Sequence, residues 1–193
     1  MLGGTFDPIH TGHLAAASVA IDCAHLDRVI FVPAAQPPHR PAAVASARDR
    51  LEMCRLATTG DARFAVSDLE LERSGPSYTV DTLLELRGLH PKAELFLILG
   101  WDAASLFHTW SRPEQVRATA SILIVGRPGE KAPQEADLES AGLVGPDVLV
   151  CPGDTPAVSA SDIRRAVAAG ESIAGIVPGA VERYITTHRL YAG

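Results

Sequence analysis

The sequence predicts an α/β protein: one doubly wound parallel sheet spanning residues 1–193, with helices that close its C-terminal end. Three observations predict it. Short apolar, β-rich runs alternate with amphipathic helical stretches along the whole chain. The clearest of these runs, 94–99, is apolar almost throughout, as strands buried on both faces are. Near the N-terminus a glycine-containing turn leads straight into a helix, the way a βαβ unit opens. Such alternation implies right-handed crossovers and ligands bound at the carboxyl ends of strands, at the switch point. No repeat or low-complexity segment interrupts the pattern.

The elements follow in order. A strand runs about five residues, yet only Met1 and Leu2 precede Gly3. The first central strand is therefore expected to be truncated, with a chain start placed too late as the favoured reason; a native N-terminus at Met1 would contradict that reason. Leu14 to Ile21 reads as a helix. Arg28 to Pro33 is a buried strand ended by proline, and adjacent Pro37 and Pro38 make 34–40 a loop. Residues 45–59 form an amphipathic helix with Leu51, Met53, Cys54 and Ala57 as its apolar positions. Phe64 to Ser67 and Asp68 to Leu71 are strand-like, 75–79 breaks the chain, and Val80 to Leu89 is helical. The strand at 94–99 turns at Gly100 to Asp102 into a helix near 103–107. A helix at 113–119, a strand at 121–125, a mobile loop at 126–145 and a last strand at 147–150 come next. Two helices, about 161–169 and 178–188, end the chain. The whole is a Rossmann-like arrangement.

Composition narrows the function. At 193 residues there is enough chain for a sizeable core, and 47% hydrophobic with 21% charged residues is ordinary for a soluble globular protein. A net charge of −6 argues against nucleic-acid binding, which needs a basic surface. The longest helical apolar run is too short to span a bilayer, and no secretion signal is visible. Cys23, Cys54 and Cys151 are odd in number and scattered, so they fit neither a disulfide framework nor a zinc pattern and suggest a reducing cytoplasm.

The chemistry concentrates in Gly3-Gly4-Thr5-Phe6-Asp7-Pro8-Ile9-His10-Thr11-Gly12-His13-Leu14. Gly3 and Gly4 let the backbone turn sharply and approach a ligand without a Cβ in the way. Thr11 to His13 fall at a helix N-terminus, where free N–H groups and the macrodipole favour an anion. His10 and His13, three apart, share one helical face. Two imidazoles aimed at a phosphate site suggest phosphate chemistry, although a tight structural turn stays open. A metal site is not assigned, because no Cys or carboxylate cluster completes a ligand set nearby.

Four later segments have both an ordinary and a functional reading. Pro37-Pro38-His39-Arg40 is a rigid surface loop or a cationic arm over phosphates. Ser77-Tyr78-Thr79-Val80-Asp81-Thr82-Leu83 starts a helix, with Ser77 or Thr79 as a simple N-cap, or with its N–H groups facing a carboxylate. Asp102, after Gly100 and Trp101 at a strand end, is a helix cap or a ribose ligand, and Trp110 is packing or a stacking platform. Val158-Ser159-Ala160-Ser161-Asp162-Ile163-Arg164 opens a helix, as a capped turn with surface Arg164 and Arg165 or as a second anion site.

The first motif resembles the signature of the HxGH nucleotidyltransferases, and more narrowly of the bacterial nicotinate-nucleotide adenylyltransferases. Tyr78-Thr79-x-Asp81-Thr82-Leu83 resembles the nicotinate-nucleotide branch and separates it from phosphopantetheine-using relatives. Gly100-x-Asp102 with a following Trp110, the 158–164 segment and the C-terminal stretch 177–191 resemble the same family in the same order. Departures are Arg40 for the family's Lys, Trp101 for a small residue, and Ala160 and Ser161 for Ser and Thr.

The resemblance implies transfer of the adenylyl group of ATP to nicotinate mononucleotide, giving deamido-NAD and pyrophosphate in NAD biosynthesis. It implies that Gly3, Gly4, Thr5, Phe6, His10, Gly12, His13, Gly100, Asp102, Ser159, Ser161 and Arg164 bind ATP. It implies that His39, Arg40, Tyr78, Thr79 and Trp110 bind the pyridine nucleotide, with the Tyr78–Thr79 pair beside the pyridine carboxylate and Trp110 stacked on the ring. His10, His13 and Arg164 are the expected catalytic groups, and Mg²⁺ is expected on the phosphates, held mainly by ATP and water. The C-terminal stretch is expected to be structural. A phosphopantetheine adenylyltransferase and a nucleotide-sensing module without turnover are the alternatives; a monomer and a homo-oligomer are both open.

Overall fold

The computed structural model describes residues 1–36, 42–126, 132–153 and 155–192. Six strands form one sheet: β1 (Leu2–Gly4), β2 (Val29–Pro33), β3 (Phe64–Val66), β4 (Phe96–Gly100), β5 (Ser121–Val125) and β6 (Val148–Cys151). Their order is β3-β2-β1-β4-β5-β6 and every pairing is parallel. The order reverses between β1 and β4, so the switch point falls at the carboxyl ends of those two strands. β1 is three residues long but pairs on both edges, Leu2 with Phe31 and with Ile98. Met1 extends the ladder, its nitrogen donating to Phe96 O at 2.6 Å and its carbonyl accepting from Ile98 N–H at 2.9 Å.

The helices among the described residues are α1 (Thr11–Ala24), α2 (Ala47–Thr58), α3 (Leu69–Glu72), α4 (Thr79–Leu89), α5 (Trp101–Ala104), α6 (Pro113–Thr119), α7 (Glu135–Ala141), α8 (Ala160–Ala168) and α9 (Gly179–Thr187). Period-two alternation in the strands sorts the core into two layers. Ile98, Leu123 and Val125 point into a cluster with Ala17 and Ala20 of α1, Met53 of α2, Ile163 of α8 and Val181 of α9. Their neighbours Leu97, Leu99, Ile122 and Ile124 point the other way, onto Val80 and Leu83 of α4, Val116 of α6 and Ala141 of α7. Each such side chain contributes about 1.5–3 kcal/mol by leaving water. Both faces are covered, which is why 96–99 and 122–125 are apolar at every position. No helix among the described residues is long and apolar enough to cross a membrane.

The structure corrects several expectations. Residues 69–72 are the helix α3 rather than part of a strand: Ser67 N–H makes the last bond to β2, at Phe31 O, and Asp68 O then accepts from Leu71 and Glu72. The Asp-Leu-Glu-Leu alternation imitated a strand, but Leu and Glu are good helix formers. The expected loop 126–145 contains α7, entered where Gln134 N–H donates to Asp137 and ended by Gly142 at φ 73°. The helix expected at 103–107 starts earlier, as α5, and Phe107–Thr109 is a short 3-10 turn.

The cysteines differ from expectation as well. Cys23 in the last turn of α1 and Cys151 at the end of β6 form a disulfide, with Cα atoms 5.7 Å apart and a sequence separation of 128. Spacing along the chain cannot reveal a pair that only the α1–sheet packing brings together. The argument from cysteine usage for a reducing compartment falls with it. Cys54 remains a buried thiol, and burial pushes its pKa far up.

Candidate active site

The turn after β1 is built differently from the glycine turn the sequence suggested. Gly3 and Gly4 belong to β1, and the left-handed conformation falls on Phe6, at φ 50°, just before the cis Asp7–Pro8 bond. Packing holds Phe6 there: its ring is 2% exposed, edge-on to His13 at 4.9 Å and tilted on Phe31 at 5.9 Å. The glycines matter instead for close approach, since both line the two cavities at the switch point. Gly12 is also closely enclosed. A Cβ there would lie 3.1 Å from the His10 ring and 3.2 Å from Pro156 O.

His10 is the N-cap of α1 and His13 lies in its first turn, so the two rings stack at 3.7 Å. His13 Nδ1 accepts from the His10 N–H at 3.3 Å. That bond requires a bare Nδ1, so the neutral ring carries its proton on Nε2. His10 is 7% exposed, and both histidines line the larger cavity, of about 500 Å³.

The far wall of that cavity comes from α8. Ser159 caps the helix, its hydroxyl oxygen accepting from Asp162 N–H at 3.1 Å, as the ordinary reading supposed. Arg164 Nη2 donates to Ser161 Oγ at 3.3 Å and Nη1 donates to the main-chain oxygen of Asp7 at 2.7 Å. The residues expected to bind ATP thus surround one cavity: Gly3 to Phe6, His10, Gly12 and His13 on one side, Ser159, Ser161 and Arg164 on the other, Gly100 and Asp102 at the end of β4. Thr5 Oγ1 is buried there with no hydrogen-bond partner among the described residues.

A second cavity, of about 240 Å³, adjoins it and shares Gly3, Gly4, Thr5, Leu99, Asp102 and Ala103 as common wall. It contains Tyr78, Thr79 and Trp110. The N-cap of α4 is Tyr78 rather than Ser77 or Thr79. Ser77 Oγ instead accepts from Ala35 and Gln36 N–H, at 3.1 and 3.2 Å, and latches the end of β2 to the start of α4. Trp110 follows the 3-10 turn with its ring 5.3 Å from Phe107. Trp101 packs into the core layer beside it. His39 and Arg40 lie outside the described residues.

Four residues that hold this site together were not legible as such. Arg50 is 1% exposed and donates to three carbonyls, Thr5 O at 2.6 Å, Ala45 O at 3.3 Å and Ala35 O at 3.5 Å. It thereby ties together the segments after β1, after β2 and before α2, and its burial lowers its pKa. Asp7, within the quoted motif, is 4% exposed and accepts from the Val44 and Ala45 amides and from Tyr191. Glu70 lines the smaller cavity and accepts from Thr82 Oγ1 at 2.7 Å. Asp7 lay in the first motif and Tyr191 at the end of the C-terminal stretch read as structural, while Arg50 reads as helix surface.

Among the described residues no three His, Cys, Asp or Glu side chains cluster to hold a metal ion. The donor set offers imidazole, guanidinium, hydroxyl and amide N–H groups, which suit phosphate oxygens. Residues 1–166 match the cytidylyltransferase-like family model. A Thermus thermophilus protein named "Probable nicotinate-nucleotide adenylyltransferase" is 48% identical, over 99% of this chain and 97% of its own length. One of the same name from Streptomyces coelicolor is 43% identical, over the whole of both chains. A solved structure of Plasmodium falciparum nicotinic acid mononucleotide adenylyltransferase complexed with NaAD shares the fold, with a TM-score of 0.78 at 20% identity, over 98% of this chain and 95% of that one. The chain belongs to the cytidylyltransferase-like family and, within it, to the nicotinate-nucleotide adenylyltransferases.

Proposed function

We propose that this chain transfers the adenylyl group of ATP to nicotinate mononucleotide, giving nicotinate adenine dinucleotide and pyrophosphate, a step of NAD synthesis. The observation that carries the residue assignments is the pair of adjoining cavities with a common wall at Gly3, Gly4, Thr5 and Asp102. The larger takes MgATP, with the metal carried on the phosphates as part of the substrate. The smaller takes the pyridine nucleotide, its ring against Trp110 and its carboxylate at the Tyr78–Thr79 helix start. The two phosphates meet at the shared wall.

The chemistry asks little of the side chains beyond position and charge. The attacking phosphate has a second pKa of about 6, so it is mostly dianionic at neutral pH and needs no general base. Its oxygen forms a bond to the α-phosphorus as the bond to the bridging oxygen breaks, and pyrophosphate leaves with that electron pair. His13, with its proton on Nε2, donates to a phosphoryl oxygen whose charge grows in the transition state. His10 and Thr5 add polar groups on the same side. Arg164, Ser161 and the amides at the start of α8 hold the departing phosphates. The cytoplasm, where ATP is at hand, is the expected location, and there the Cys23–Cys151 bond faces a reducing thiol pool.

A pyrophosphate-release assay with ATP and either nicotinate mononucleotide, nicotinamide mononucleotide or phosphopantetheine tests this. Turnover is expected to be fastest with nicotinate mononucleotide. Preference for phosphopantetheine would overturn the substrate assignment, and release with none of the three would overturn the activity.

A further inference from the structure

The C-terminal segment reaches the site, which its sequence gave no reason to expect. Tyr191 is 9% exposed and its hydroxyl donates to Asp7 Oδ1 at 2.8 Å, across 184 positions of chain. The same oxygen accepts from Ala45 N–H at 3.0 Å, and Oδ2 accepts from Val44 N–H at 2.7 Å. Three donors from two distant segments therefore occupy one buried carboxylate. Arg164 is close but does not join them. Its Nη1 is 3.9 Å from Asp7 Oδ2, beyond hydrogen-bond range, and bonds instead to the Asp7 main-chain oxygen.

We infer that Tyr191 is a positioning residue for the phosphate cradle, acting through Asp7 to keep the Arg164 guanidinium turned to the cleft. The inference rests on the reading above that Arg164 binds ATP phosphates. A buried carboxylate and an anionic substrate compete for the same guanidinium, and a carboxylate short of donors competes better. The Tyr191 hydroxyl and the two amides meet the needs of Asp7, so Arg164 keeps its bonds to Asp7 O and Ser161 Oγ without being captured by the carboxylate. Take the hydroxyl away and Asp7 Oδ1 is left with one donor, the carboxylate draws Arg164 inward, and ATP must displace it. Burial, and then the bond to Asp7, push the Tyr191 phenol pKa far up, so it stays a donor throughout the working pH range.

Tyr191→Phe removes the hydroxyl and keeps the ring, so the core contacts remain. Losing one hydrogen bond to a charged acceptor predicts an ATP KM raised by about tenfold. The KM for nicotinate mononucleotide should stay within twofold. In an Arg164→Lys background, which should itself raise the ATP KM, adding Tyr191→Phe should change it by less than twofold, because the residue acted upon is gone. A Tyr191→Phe enzyme that melts lower but keeps its ATP KM, or one that shifts both substrates equally, overturns the inference and leaves Tyr191 structural. An Arg164→Lys enzyme with an unaltered ATP KM overturns the phosphate role of Arg164 itself, and this inference with it.

Discussion

His13 is proposed to work through the proton on Nε2. The His10 N–H occupies Nδ1, so in the neutral ring Nε2 is the donor nitrogen. His13→Ala should lower kcat by roughly 10²-fold, as loss of a transition-state donor does; steady-state turnover checks it, and a near-native rate would remove His13 from the mechanism. Residue identity was legible here because the pair sits at a helix start, where geometry follows from the backbone. The turn itself was not legible. Two glycines advertised a sharp turn, but the left-handed residue is Phe6, held by ring packing against His13 and Phe31 that no local pattern encodes. Arg50 was hidden for a related reason: a charged residue in an amphipathic helix reads as solvated, and its three carbonyl partners come from segments separated in sequence.

At the scale of elements, β4 and β5 were plain from sequence because strands buried on both faces read as near-continuous apolar runs. α3 and α7 were not: four residues are too few to show a helical period, and α7 lacks the proline start that marks the equally short α6. The Cys23–Cys151 link joins the last turn of α1 to the end of β6, and so fastens the helix that carries both histidines to the strand that leads toward α8. Closing so long a loop is worth about 2–4 kcal/mol. Cys23→Ser, or reduction of the native protein, should lower the melting midpoint by roughly 5–15 °C. Differential scanning calorimetry with and without dithiothreitol reads this directly; equal midpoints would show that the bond contributes nothing to stability. Gly153 marks how closely these elements pack, because a Cβ there would meet Val19 at 2.7 Å.

Across the whole molecule, strand order 3-2-1-4-5-6 determines where chemistry can happen. The motif at the N-terminus and the one at 158–164 are far apart in sequence, and the sheet brings both to the carboxyl ends of β1 and β4, around one cavity. That convergence was foreseeable from alternation of strand and helix; the grouping of Tyr78, Thr79 and Trp110 in the smaller cavity came only with the resemblance, and the buried frame of Asp7, Arg50 and Tyr191 was not foreseeable, since it depends on contacts between loops. The central claim is that the triphosphate lies between the two histidines and Arg164. A crystal structure with a non-hydrolysable ATP analogue tests it most directly. The phosphates are predicted within hydrogen-bond distance of His13 and Arg164 in the larger cavity; a nucleotide seated instead in the Tyr78–Trp110 cavity, or touching neither His13 nor Arg164, would contradict it.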